Sequence, residues 1–153
     1  MPFPPPSTNE AFKGPIITAW ALCLLGLLKL VPGLIHTFLP DGGAGVIAGA
    51  NLTVNGAAIV KLFAWAGATQ IVFGAMLITI ALRYRNLVPV GFAALLIEYL
   101  ILAWTLWGPK GQATGHYPPA AYAALILLPI ILGLLFYSNR NSSSKGSFRG
   151  DPS

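Results

Sequence analysis

Apolar residues along this chain come in long unbroken runs, and four of these runs are long enough to cross a bilayer. A hydrocarbon core about 30 Å thick takes about 20 helical residues. The pattern predicts spans over about 15–35, 58–82, 87–107 and 119–137. Lys29 interrupts the first and Glu98 sits inside the third, while Leu62–Leu82 and the fourth span carry no charge. Backbone groups in lipid need internal hydrogen-bond partners, so each span is expected to be a helix. The runs do not alternate in polarity as barrel strands would. The predicted fold class is all-α: an integral membrane four-helix bundle with both termini cytoplasmic.

Punctuation refines this picture. Pro15 and Pro119 stand where a helix starts without losing a hydrogen bond. Pro32 and Pro129 lie inside spans, free the carbonyls of Leu28 and Leu125, and predict kinks. At Pro32-Gly33 an early end to the first helix is the alternative. Arg83 to Asn86 is a tight basic turn, which predicts an antiparallel hairpin of spans two and three. The loop from about His36 to Ala57 is the longest and holds the turn-forming PDGGAG and NLTVNG stretches. It is expected to form an interfacial cap with a short helix or hairpin. The organisation expected is a disordered segment over 1–14, a four-span membrane domain over 15–137, and a disordered basic tail over 138–153.

Composition strengthens the membrane reading. Only 8% of the 153 residues are charged and 56% are hydrophobic. A soluble domain carries about 25% charged residues, so this chain has too few to cover a water-facing surface. The formal charge of +5 does not point to nucleic acid, because the basic residues form no stripe interleaved with aromatics. It points to orientation. Lys13, Arg83, Arg85, Arg140, Lys145 and Arg149 fall on one side, with Lys61 and Lys110 on the other. The richer side is expected to be cytoplasmic. Cys23 is the only cysteine, so no internal disulfide, CxxC pair or cysteine-based zinc site forms.

The embedded charges are the candidate chemistry. A carboxylate at the centre of a bilayer costs at least a few kcal/mol and needs a partner or a task. Helical spacing places Glu98 on a small face with Gly91, Ala94 and Thr105, and places Gly26, Lys29, Gly33 and His36 on one stripe of the first span. Lys29 lies roughly 21 Å and Glu98 roughly 16 Å from the same membrane face, at 1.5 Å per residue. The two are expected to pair in the bundle interior, with His36 above them at the outer mouth and Gln70 bonding across helices. Lys29 also fits a snorkelling role. Glu98 also fits a protonated, hydrogen-bonded packing role, and His36 a surface loop position. The second span presents Ala64, Ala68 and Ala75, with Gly67 nearby, as a face suited to close packing. Asn51-Leu52-Thr53 matches a glycosylation sequon. No catalytic residue and no metal site is expected: the two histidines form no i, i+3 or i, i+4 pair with a glutamate, and no serine lies in a span.

The first span contains LLGLLKLVPGL, and spans two and three contain GATQIVFGAMLITIALRYRNLVPVGFAALLIEYL. These stretches, and the plan of four spans in a chain of this length, resemble the DoxX-like family of small membrane proteins. The longer first loop and the proline-rich start depart from that family. The resemblance implies a membrane subunit associated with a quinone or a partner complex, and it carries over no catalytic residue.

The reading that follows is a subunit with no activity of its own, in a bacterial inner membrane. It packs against a partner complex or a second copy, or binds a lipid-like molecule such as a quinone, at Lys29, Glu98, Gln70 and His36. One alternative is a small transporter or proton conductor using Glu98. Another is an accessory subunit of a membrane oxidoreductase.

Overall fold

The computed structural model describes residues 3–108 and 117–140. Among these it is all-helical, with four long helices: α1 (Ile16–Phe38), α2 (Gly56–Arg83), α3 (Val88–Trp107) and α4 (Pro119–Ser138). Each is long and apolar enough to cross a membrane. Lys110, His116 and the rest of the stretch 109–116 lie outside the described residues, as does the expected tail from 141 onward.

Helix α1 continues past Pro32, as a span containing that proline does and the alternative of an early end does not, and it ends at Phe38, so His36 belongs to its last turn and not to the loop. Continuation is affordable because proline removes one hydrogen bond while lipid offers no substitute partner for an unwound backbone. Helix α4 likewise continues through Pro129.

Packing is tightest within two pairs, α1 with α2 and α3 with α4; α2 and α3 scarcely touch despite their short connection. The expected tight turn does join spans two and three, but the two helices of that hairpin splay apart. The reason is a glycine register. Gly26 faces Gly74, and Gly33 faces Gly67. A Cβ on Gly74 would lie 2.7 Å from the Gly26 carbonyl oxygen, and one on Gly67 2.8 Å from that of Gly33. Such approach needs bare backbone on both helices, which favours van der Waals packing in lipid. Gly67 and Gly74 thus make the packing face of α2. Ala68 and Ala75, expected on that face, point outward and are exposed.

The solid core lies toward the Arg83–Leu87 turn. Leu22 and Leu25 of α1, Leu77 of α2, and Phe92 and Leu95 of α3 meet there, all buried. The same end is closed by residues 3–14, which were expected to be disordered. Thr8 N–H and Ser7 Oγ each donate to the Arg83 carbonyl at 3.0 Å, and Asn9 Nδ2 donates to the Leu82 carbonyl at 2.7 Å. The last carbonyls of a helix have no partner within it. Ser7 and Asn9, together with the Thr8 amide, supply those partners to α2, which is why a polar, proline-rich stretch docks there.

At the opposite end, residues 39–55 form neither a hairpin nor a regular helix but a run of turns. Asp41 organises it, accepting from Gly43 N–H at 2.8 Å, Gly45 N–H at 3.2 Å and Val46 N–H at 3.1 Å. Gly42 and Gly43 take positive φ of 61° and 71°, the left-handed backbone that glycine tolerates. Those three N–H bonds hold the Asp41 carboxyl below its ordinary value, Val46 contributing most.

Candidate functional site

The core stops where the embedded charges begin. Lys29 reaches from the middle of α1 to Glu98 on α3, and its Nζ donates to Glu98 Oε1 at 2.7 Å. Nζ also sits 4.6 Å from the centre of the Tyr99 ring, whose face attracts a cation. The Lys29 side chain is 9% exposed, against 37% for Glu98. Lys29 is therefore drawn inward to a partner and does not snorkel. In a bilayer, which the four helices are long and apolar enough to cross, such a pair gains little of the water screening that weakens a surface salt bridge.

Above the pair, toward the 39–55 turns, lies a cavity of about 680 Å³. Lys29, His36, Gln70 and Glu98 all line it, with Tyr99 beside them. The remaining wall is mostly apolar, from Leu28, Phe63 and Leu102 among others, and Ile47 and Ala48 of the turn segment roof it. Ligand pockets of lipid-like molecules have this character: apolar walls with a few convergent polar groups.

His36 is held at the roof. Its Nδ1 lies 2.6 Å from the Gly42 carbonyl. A carbonyl only accepts, so Nδ1 carries a proton and donates to it. Its ring packs edge-on against Phe63, with centroids 5.2 Å apart. His36 thereby ties α1 to the turn segment over the cavity.

Gln70 is placed in the wall but does not make the cross-helix bond expected of it. Its Oε1 is buried without a partner among the described residues, and so is Glu98 Oε2. Buried acceptors are almost always satisfied, so two in one site mark a place where a donor belongs.

A second space adjoins the first. A crevice of about 520 Å³ opens on the outer surface of the bundle between α2 and α3. Apart from Thr69, Gln70 and Glu98 it is apolar, with Phe73, Ile97 and Ile101 in its wall. Gln70 and Glu98 line both spaces and so form the partition between them. Residue spacing did not reveal this crevice. Its signal is that splaying of α2 from α3 which the glycine register on α1 imposes.

No cluster of three metal-binding side chains occurs among the described residues. Fold and site together define a chain of four membrane-spanning-capable helices with a charged pair on the wall of a partly open cavity. Comparison with protein-family models, with curated proteins and with solved structures gave no match.

Proposed function

We propose that this chain is a non-enzymatic membrane subunit that binds a lipid-like molecule in the cavity bounded by Lys29, His36, Gln70 and Glu98. One observation carries the reading: a 680 Å³ space with mostly apolar walls is lined by the charged pair Lys29–Glu98 and by Gln70 and His36. An amphiphile matches that mixture of apolar wall and few polar groups. The resemblance to DoxX-like proteins supports a bacterial inner-membrane subunit, one that works beside a partner complex, a second copy or a membrane oxidoreductase. The excess of basic residues at the end holding Lys13, Arg83, Arg85 and Arg140 supports cytoplasmic termini.

Native mass spectrometry of the full chain released from its own membrane tests this. The expected result is a bound lipid-like mass that Glu98→Gln diminishes. A ligand-free monomer from mild detergent would overturn the reading.

The partition of two spaces by Glu98 favours a second reading, a small proton conductor in which Glu98 changes protonation during turnover. Liposomes holding the wild-type chain would then carry a proton flux that Glu98→Gln abolishes. Absence of flux in the wild type removes this second reading.

A further inference from the structure

Two buried oxygens, Gln70 Oε1 and Glu98 Oε2, accept nothing, and the two residues that carry them separate an apolar crevice from the cavity that Lys29 and His36 also line. We propose that the ligand is a neutral amphiphile with a hydroxyl head, the head donating its one proton to Glu98 Oε2 and accepting from the amide nitrogen of a turned Gln70, with the tail lying in the crevice between α2 and α3. This rests on the reading of a lipid-like binding site at Gln70 and Glu98, and it moves the tail from the cavity to the adjoining crevice.

The head chemistry follows from what is missing. Lys29 already satisfies Glu98 Oε1. What remains are two acceptors, so the head must donate. An acceptor-only head, such as an oxidised quinone or an ether, leaves both oxygens unpaired. A cationic amine donates, but it brings a second positive charge beside Lys29 Nζ in a medium that screens charge poorly. A hydroxyl donates without a charge, and it also accepts, which suits the amide nitrogen of Gln70.

The tail placement follows from the crevice. It lies at the middle of both helices, between Thr69–Phe73 of α2 and Ala94–Ile101 of α3. It faces the outside of the bundle, where acyl chains lie if the helices span. A lipid-borne molecule therefore reaches Glu98 sideways, without crossing the 39–55 turns. Neither free oxygen is open to a water-sized probe in this conformation. The partition must turn for the head to bind, and Gln70, with three rotatable bonds and no side-chain hydrogen bond at Oε1, is the side chain able to do so.

The test uses the full chain in proteoliposomes with three photoactivatable probes: hexadecanol, hexadecylamine and hexadecyl methyl ether, each with the same mid-chain diazirine. Peptide mapping locates the labels. The alcohol is expected to label the segments holding Phe73, Ile97 or Ile101, with the ether labelling about tenfold less, the size of one lost hydrogen bond to a charged group. Thr69→Phe fills the crevice from an exposed position and is expected to abolish alcohol labelling while leaving the fold intact. Ala94→Trp is the second filling variant.

Stronger labelling by the amine overturns the neutral head. Equal labelling by all three probes overturns the head chemistry while lipid-like binding stands. No labelling of the crevice, with a ligand still present in the native mass spectrum, overturns the tail placement alone. Loss of both signals removes the binding-site reading as well.

Discussion

Lys29 Nζ and Glu98 Oε1 meet at 2.7 Å between two helices that otherwise have few contacts. The ion pair is thus a tie between the α1–α2 pair and the α3–α4 pair, at the level where the packed core gives way to the cavity.

Removing one partner strands the other charge in a medium that solvates it poorly. Lys29→Met is expected to destabilise the folded state by about 3 kcal/mol. Combining it with Glu98→Gln is expected to recover part of that loss, because no uncompensated charge remains. Unfolding equilibria in mixed micelles for wild type, both single variants and the double variant measure the coupling. Strict additivity would show that the pair contributes nothing as a pair.

The glycine register makes a position-specific prediction. Gly74→Leu and Gly67→Leu place a Cβ within 2.8 Å of a facing carbonyl oxygen, which no side-chain rotation relieves. Both are expected to separate α1 from α2 and to abolish the monodisperse folded species on size exclusion. Gly133 has nothing within 4 Å of its would-be Cβ. Gly133→Ala is therefore expected to leave the fold unchanged or raise its stability by up to about 1 kcal/mol.

The turn segment is expected to loosen in acid. Asp41 is held below its ordinary value of 3.8 by the N–H groups of Val46, Gly43 and Gly45. A carboxyl whose value is lower when folded favours the folded loop above its unfolded value. That contribution fades as pH falls below 3.8 toward the folded value. Hydrogen exchange at the amides of Gly43, Gly45 and Val46, corrected for intrinsic rates, is expected to speed up across that window. In Asp41→Asn the pH dependence is expected to vanish.

Asn9 is one of the residues that dock the N-terminal segment: it donates to the Leu82 carbonyl and accepts from Arg85 N–H at 3.3 Å. Asn9→Ala removes both bonds and is expected to cost about 1 kcal/mol per bond at most, given the exposure of the contact. Limited proteolysis within residues 3–14 should become faster, with the four helices still protected. An unchanged cleavage rate would show that Pro5, Ser7 and Thr8 hold the segment without Asn9.

The helices were legible in the residues because hydrophobic length is a local property. A run of some 20 apolar residues declares a span wherever its neighbours lie. Even so, the ends moved: α1 gained a turn past Ile35, since Pro32 bends a helix in lipid more readily than it stops one. The N-terminal segment was illegible for a different reason. Its composition is that of a disordered stretch, and its order comes from carbonyls at the end of α2, more than seventy residues away.

The pairing of Lys29 with Glu98 was also legible, since both charges stand at similar depth on parallel spans and each is untenable alone. What Gln70 does was not. From the sequence alone come the number of spans, their polarity along the chain and the need for an internal counter-ion, because all three follow from the solvation of single residues. Tertiary structure alone decides that Gly26 and Gly33 meet Gly74 and Gly67, that α2 leans away from α3, and that Gln70 and Glu98 then divide two spaces. Those outcomes depend on which helix faces lie against each other, and packing between helices is settled by shapes that no single segment carries.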